Sequence, residues 1–141
     1  MPVRVGAAGL CPYGNDIDTR TTPVEAALTW AIQKVRRQGG AREGGFPGAG
    51  KILAQLAVAG DLAGHVDQQV PTRRRVGLVA LERVPVREGC ALQSFEGQPI
   101  GQVTSGLLGP TADRPIAMGY VATAFSGPGT RVQAIVRGKA V

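Results

Sequence analysis

The stretch that decides the fold runs from Gly9 to Trp30 and reads GLCPYGNDIDTRTTPVEAALTW. Its first part, up to Asp18, is rich in glycine, proline, asparagine and aspartate, which are typical of turns. Thr22 can accept a hydrogen bond from a free first-turn N–H, and Pro23 suits the first helical position because no N–H is needed there. Glu25, three residues after Thr22, completes a capping box. The stretch therefore predicts a polar loop that leads into a well-capped helix.

Apolar residues after Pro23 recur with the period of an α-helix. The sequence predicts a helix from Pro23 to about Arg37, which the pair Gly39 and Gly40 would end. Trp30 lies off the apolar stripe, so it needs a second packing partner, either a neighbouring domain or the wall of a ligand pocket. The residues on the apolar face of this predicted helix are Val24, Ala27, Leu28, Ala31, Ile32 and Val35.

From Arg73 onward the apolar period changes to two, which is typical of β-strands. Glycine and proline turns separate the segments at about 10 to 15 residues, a spacing that predicts a small antiparallel barrel or sandwich. A short Val3-Arg4-Val5 alternation predicts one further strand. The predicted strands of the second half are 75–82, 90–93, 100–104, 116–121 and 131–136.

The chain of 141 residues carries a net charge of +6, which favours anionic partners. No aromatic residues are interleaved with the basic ones, so a base-stacking platform for nucleic acid is not indicated. A solvated surface or contact with a phosphate-like ligand is the favoured interpretation. The basic residues cluster at Lys34, Arg36, Arg37 and Arg42, and again at Arg73, Arg74 and Arg75.

Several other sites are excluded by the residues present. Two separated cysteines, Cys11 and Cys90, with the single His65 do not make a zinc site. The segment Gly45–Lys51 has the GxxxxGK spacing of a phosphate-binding loop, but Ile52 stands where a hydroxyl should reach magnesium. The N-terminus shows no signal peptide and no apolar run is long enough for a membrane span, so a cytoplasmic location is expected.

Several motifs resemble the glycine cleavage T-protein, a tetrahydrofolate-dependent aminomethyltransferase. They include Gly9-Leu10-Cys11, Tyr13-Gly14-Asn15-Asp16 and Thr21-Thr22-Pro23-Val24-Glu25, and the barrel half carries more in the same order. The resemblance covers most of the chain apart from its first eight residues, 38–43 and 61–72. It implies an α+β fold: a short capped helical region from the folate-binding domain, with a short helix at 51–59, followed by a small antiparallel β-barrel.

The resemblance also implies a domain organisation. Residues 1–60 correspond to the C-terminal remnant of the folate-binding α/β domain, 61–72 to a linker or insertion, and 73–141 to the C-terminal β-barrel. The family continues beyond the position of Val141 with a further strand, so the barrel is expected to lack its last strand and to expose an edge.

What the family does gives the functional expectation. Its members take an aminomethyl group from the lipoyl arm of the H-protein and give methylenetetrahydrofolate and ammonia. By position, Leu10, Tyr13, Asn15 and Asp16 match the family loop beside the folate, so they are the expected tetrahydrofolate-binding residues. They could also be turn residues that satisfy their own backbone. The family's catalytic aspartate lies in an N-terminal half that this sequence does not match, so no catalytic residue is assigned.

Three functional hypotheses follow. The chain is a truncated aminomethyltransferase that is inactive alone and binds folate weakly through one side of its pocket. Alternatively, it is a basic interaction module or the subunit of a split enzyme, whose partners would be the H-protein or a separately encoded N-terminal half. The third hypothesis is a gene fragment without function. Steep salt dependence would separate phosphate-backbone binding from pterin recognition.

Overall fold

The computed structural model describes residues 2–6, 13–60, 72–109 and 113–140. Within these ranges the chain forms one α-helix, seven β-strands and three single-turn 3₁₀ helices. The elements, in chain order, are β1 (Pro2–Gly6), 3₁₀ turns at Thr29–Ala31 and Lys34–Arg36, α1 (Ala49–Gly60), β2 (Arg73–Ala80), β3 (Ala91–Gln93), β4 (Pro99–Gly109), β5 (Arg114–Ala122), a 3₁₀ turn at Thr123–Phe125, β6 (Arg131–Val136) and β7 (Lys139–Ala140).

The strands form one antiparallel sheet with the order β1-β2-β5-β4-β3-β6-β7. Strand β1 pairs with β2 on one side and with β6 on the other, for example Val3 with Ala80 and with Val132. The order therefore returns to its first strand, and the sheet curls into a barrel. Strand β1 thus lies between β2 and β6. The expectation that the barrel lacks its last strand stays a prediction.

The core lies inside this curled sheet, where alternate residues of each strand point inward. Leu92, Val121, Val132 and Ala134 are fully buried, and Val86 adds the loop after β2 to the same cluster. Small β-branched and aliphatic residues thus fill a barrel that contains few aromatic rings. The predicted strands and the α+β fold class are confirmed.

The predicted helix from Pro23 to Arg37 is wrong, although its capping signal is real. The Thr22 hydroxyl accepts the Glu25 N–H at 3.2 Å, as in a capping box. After one turn, however, Ala27 adopts a left-handed backbone with φ of 56°. The Leu28 N–H then donates to the Pro23 carbonyl at 2.8 Å and the Ala27 N–H to the Val24 carbonyl at 3.2 Å, the bonds of a Schellman motif.

Two arginines stabilise the irregular chain that replaces the rest of this helix. Arg37 donates from Nε to the Ile32 carbonyl at 3.0 Å and from its guanidinium to the Thr29 carbonyl at 2.6 Å. Arg36 donates to the Gly44 carbonyl at 3.2 Å. The two bonds of Arg37 satisfy backbone carbonyls that a continuous helix would have paired internally.

Helix α1 confirms the short helix expected at 51–59 and extends it slightly at both ends. It buries Ile52 and Gln55, whereas Lys51 is exposed. The Gln55 Oε1 atom is buried without a hydrogen-bond partner in the described part of the chain. The division of the chain into 1–60, 61–72 and 73–141 stays a prediction, because residues 61–71 lie outside the described ranges.

A buried arginine joins the one-turn helix to the start of β2. The Arg75 side chain is 3% exposed, and its Nε donates to the Ala26 carbonyl at 2.7 Å. The Arg75 N–H also donates to the Glu25 carbonyl at 2.7 Å. Beside it, Arg73 forms an ion pair with the Glu25 carboxylate at 2.8 Å. The segment before residue 28 is thereby fixed on the sheet.

Replacing Ala27 by glycine should stabilise the protein, because a left-handed backbone strains any residue that carries a Cβ. We expect Ala27→Gly to raise the free energy of unfolding by about 0.5–1 kcal/mol. Urea denaturation of the full chain measures this. The matched control is Ala31→Gly, at an exposed position without positive φ, which should not stabilise. Equal effects of the two substitutions would contradict this account of the helix end.

Candidate functional site

The loop that the sequence singled out forms a tight turn over residues 13–18. Gly14 has φ of 97°, a left-handed conformation that favours glycine, and its N–H donates to the Ile17 carbonyl at 2.8 Å. Tyr13 and Ile17 form an isolated parallel bridge. The Asp18 carboxylate accepts the Arg20 N–H at 2.9 Å, and this bond is the main cause that lowers the pKa of Asp18. The loop is thus held in shape by its own backbone.

Asp16 attaches this loop to the barrel. It is only 1% exposed, and its Oδ1 accepts hydrogen bonds from the hydroxyls of Thr104 and Ser105, the latter at 2.9 Å. Its Oδ2 is buried without a hydrogen-bond partner among the described residues. Two hydroxyl donors on one carboxylate oxygen offset much of the cost of burying the group.

A β-bulge allows both hydroxyls to reach the same oxygen. Adjacent strand residues normally point to opposite faces of a sheet. In β4, however, Val103 pairs with Gly119 and Ser105 with Met118, so Thr104 is an extra residue on its strand. A bulge of this kind bends the strand and redirects side chains. The neighbouring hydroxyls of Thr104 and Ser105 can therefore face Asp16 together.

Tyr120 holds the same loop from strand β5. Its hydroxyl donates to the Asp16 backbone carbonyl at 2.6 Å, and the residue is 6% exposed. Burial raises the pKa of Tyr120 above its ordinary value of 10.0. The Arg73 guanidinium lies 4.6 Å from the centre of the Tyr120 ring, a cation–π contact. Strands β2, β4 and β5 together therefore position the loop.

A cleft of about 730 Å³ opens beside the loop, within the size range of small-molecule sites. Asn15 contributes the loop side, and Ser105, which also bonds to Asp16, contributes the strand side. Leu107 and Leu108 line it too and are 60% and 66% exposed, so the cleft has an apolar wall open to solvent. The remaining lining residues are Arg83, Pro85, Val86, Arg87, Glu88, Gly106 and Pro115.

The charges around the cleft are mixed. Arg83 forms an ion pair with Asp113, and both side chains are more than three-quarters exposed. Arg87 and Glu88 follow one another in the opposite loop and are both exposed. Within the described ranges Arg87 takes part in no ion pair. The cleft thus combines an apolar wall, one amide and a cation without a partner of opposite charge.

The four residues predicted to bind folate have different places in the structure. Leu10 lies outside the described residues. Tyr13 is 73% exposed and is not among the cleft residues, whereas Asn15 lines the cleft. Asp16 is buried and anchors the loop. Trp30 is 73% exposed and is likewise not among the cleft residues, so its expected packing partner stays a prediction.

Sequence reasoning missed the residues on the barrel side. Thr104, Ser105, Tyr120 and Arg87 lie in segments of the barrel half that carry the family resemblance, but no role in a site was predicted for them. The signal that was available is the polar Thr104-Ser105 pair between apolar strand residues, since adjacent hydroxyls there suit a bulge better than a regular strand. Among the described residues, no group of three or more histidine, cysteine or acidic side chains could hold a metal ion.

The fold and the cleft define a class of protein: a small α+β chain whose antiparallel barrel carries a ligand-sized cleft beside an anchored loop. Residues 73–141 match the family description "Glycine cleavage T-protein C-terminal barrel domain". These residues therefore belong to that family of barrel domains, and the chain is a homologue of the C-terminal part of the glycine cleavage T-protein.

Individual relatives agree with this assignment. The chain is 42% identical over 145 residues to a probable mitochondrial aminomethyltransferase of Schizosaccharomyces pombe, a match that covers 98% of this chain and 33% of the relative. It is 46% identical to the mitochondrial aminomethyltransferase of Solanum tuberosum, over 94% of this chain and 29% of the relative. The chain thus spans about a third of the length of the curated relatives it matches.

A solved structure is similar as well. The crystal structure of the glycine cleavage system aminomethyltransferase T from Bartonella henselae matches with a TM-score of 0.76 and 45% sequence identity. The match covers 94% of this chain and 33% of that one. The likeness therefore extends beyond the barrel to the segment that carries the candidate loop.

The relatives correct one expectation. A cytoplasmic location was predicted from the absence of a signal peptide, and this is wrong. The curated relatives quoted above are mitochondrial by name, which points to the mitochondrion instead. Separately, no helix in the described part of the chain has the length and apolar character needed to cross a membrane.

Removing the Tyr120 hydroxyl should weaken the attachment of the loop. Tyr120→Phe leaves the buried Asp16 carbonyl without this donor, so we expect the free energy of unfolding to fall by about 1–2 kcal/mol. The matched control is Tyr13→Phe, because Tyr13 is exposed and should tolerate the change within about 0.5 kcal/mol. Chemical denaturation measures both. Equal stability of Tyr120→Phe and the parent chain would contradict the anchoring role.

The same hydroxyl predicts a loss of stability at alkaline pH. The pKa of Tyr120 is higher in the folded than in the unfolded chain, so the folded state retains the proton longer. The contribution of the Tyr120 hydroxyl to the free energy of unfolding is complete below about pH 10, the ordinary pKa of tyrosine. It is lost as the pH rises through the pKa of Tyr120 in the folded chain. Denaturation at pH 9 and 11 should show a smaller alkaline loss in Tyr120→Phe than in Tyr13→Phe. An identical pH dependence in both variants would refute this assignment.

Proposed function

We propose that this chain supplies the C-terminal part of an aminomethyltransferase and that its anchored loop forms one wall of a tetrahydrofolate site. The observation that carries the proposal is the position of Asn15, which lines the ligand-sized cleft while its neighbour Asp16 is fixed to the barrel. A binding loop that is held in place before the ligand arrives loses less conformational freedom on binding.

The residues beside the cleft fit a ligand with a flat ring and polar edges. Asn15 carries an amide that can both donate and accept hydrogen bonds. Pro85, Leu107 and Leu108 offer apolar surface against which a ring can pack. Tetrahydrofolate, when bound, would supply the two nitrogens that the one-carbon unit bridges in the product. The part of this chain is to bind and orient it, and to exclude water along the apolar wall.

Asp16 acts through the loop rather than as a reacting group in this proposal. Its carboxylate is buried and already accepts two hydroxyl donors, which suits a positioning residue. Leu10 and Tyr13, which belong to the same loop, remain proposed contacts of tetrahydrofolate. This proposal is carried over from the family resemblance. No catalytic residue is assigned to this chain.

The complete reaction is proposed for this chain together with the rest of the family polypeptide. In that assembly the methylene carbon of the aminomethyl group would pass from the lipoyl arm of an H-protein to two nitrogens of tetrahydrofolate. Its amino group would leave as ammonia, the two nitrogens would lose their protons, and the lipoyl sulfur would be left as a thiol. The partners proposed are therefore an H-protein and an N-terminal portion of the family fold, whether on the same or on a separately encoded polypeptide.

The alternative of a nucleic-acid-binding module receives little support from the arginine clusters. Arg73 and Arg75 contact Glu25 and Ala26, and Arg36 and Arg37 donate to backbone carbonyls. Of the three consecutive arginines, only Arg74 is exposed. Side chains already committed to internal bonds are poorly available for phosphate contacts.

The test is tetrahydrofolate binding by the full chain, measured by calorimetry with and without the separately produced N-terminal two-thirds of a related aminomethyltransferase. We expect Asn15→Ala to weaken binding about fivefold, because one hydrogen bond to the ligand is lost. Gln33→Ala, which removes an exposed amide away from the cleft, is the matched control. The proposal would be rejected if no saturable binding is seen either with or without the N-terminal two-thirds. It would also be rejected if Asn15→Ala and Gln33→Ala bind tetrahydrofolate with equal affinity.

A further inference from the structure

We infer that strand β1 is exchanged between copies of this chain, so that the slot between β2 and β6 of one copy holds β1 of another. The partner is therefore a second copy of the chain, and the surface it uses is the pair of strand edges on which β1 lies. This inference is independent of the proposed function, because it concerns the backbone pairing of the barrel and no ligand.

The slot lies between the edges of two strands that are complete without β1. One edge of β1 pairs with residues 77–80 of β2 and the other with residues 131–133 of β6. On their opposite edges β2 pairs with β5 and β6 pairs with β3. These pairings remain when β1 leaves the slot. The two edges would then present unpaired backbone N–H and C=O groups, which another strand can satisfy.

Strand β1 is held less firmly than its neighbours. Its five residues begin with Pro2, which has no N–H to donate, and end with Gly6, which lies opposite Gly77. All its partners are distant in the sequence, so no short turn holds it against a neighbouring strand, in contrast to the hairpin of β6 and β7. Pairing of this kind opens at a lower free energy than the core of a sheet.

A second copy fits the slot because it offers the same strand in the same register. The backbone pairing with 77–80 and 131–133 is identical whether β1 comes from the same copy or from another. Exchange of an identical element is a low-cost route to a dimer.

The link between β1 and the anchored loop gives the necessary reach. Residues 7–12 separate Gly6 from Tyr13, and the seven residue steps between these two span at most about 25 Å. Strand β1 can thus lie in a neighbouring copy while the loop stays on its own barrel. Closure within one copy is favoured in dilute solution, and the exchanged dimer gains as the chain concentration rises.

The experiment mixes two variants of the full chain, Arg4→Cys and Arg131→Cys, in a background in which Cys11→Ser and Cys90→Ala remove the native thiols. The two arginines stand directly opposite each other in the register, at a Cα separation that a disulfide can bridge. Neither variant alone carries both new thiols. A disulfide between the two variants therefore requires β1 of one copy to lie on β6 of the other.

The matched control mixes Gln93→Cys with Gln133→Cys in the same background. These residues are also directly opposite in the register, but they join β3 to β6 within one copy. After mild oxidation we expect at least about tenfold more covalent mixed dimer from the first mixture than from the control, because exchange holds its two thiols at a high effective concentration. A mixed dimer no more abundant than in the control would overturn the inference.

Sedimentation velocity gives a second measurement. The unmodified chain should show a dimer whose fraction rises with concentration, and a monomer at every concentration would overturn the inference. The double variant Arg4→Cys/Arg131→Cys, oxidised while dilute, should form a disulfide within one copy and stay monomeric when it is concentrated. After reduction it should dimerise again. Equal dimer fractions in the oxidised and reduced samples would show that another surface forms the dimer, and the inference would be rejected.

Discussion

A carboxylate removed from water must be compensated by hydrogen bonds, and Asp16 meets this requirement only through the barrel. Its Oδ1 receives hydroxyls from Thr104 and Ser105 of β4, and its backbone carbonyl receives the hydroxyl of Tyr120 from β5. If the loop left the sheet, the three hydroxyls would lose their acceptors on Asp16, and that of Tyr120 is buried. The loop and the two strands therefore form one unit, although about ninety residues of sequence separate them.

A second attachment fixes the other end of the same segment. Glu25 and Ala26 receive donors from Arg73 and Arg75 at the start of β2, which is the neighbour of β5 in the sheet. The two attachments lie on adjacent strands, so the chain between them crosses the sheet surface with both ends held. The basic cluster that suggested an anionic partner thus serves mainly to satisfy carboxylate and carbonyl groups inside the protein.

The strands could be predicted from the sequence because their signals are local: alternation, turn residues and glycine or proline at the ends. Helix α1 was expected only from the family resemblance. The helix after Pro23 could not be predicted correctly, although its cap and its period were both present. Of its apolar stripe only Val24 is buried, since the chain turns at Ala27 after one turn and arginines satisfy the carbonyls beyond. Periodicity reports which residues can share a face, but contacts distant in sequence decide whether that face is used.

The cleft also depends on contacts between residues that are far apart in the sequence. A Cβ at Gly106 would lie 2.0 Å from the Val86 carbonyl oxygen, so only glycine lets the loop that carries Arg87 approach β4 this closely. One residue earlier, the bulge directs Ser105 toward Asp16 while Ser105 also lines the cleft. The anchor of the loop and the wall of the cleft therefore share a residue. A change that releases Asp16 should alter the cleft as well, and loop position and ligand affinity should vary together.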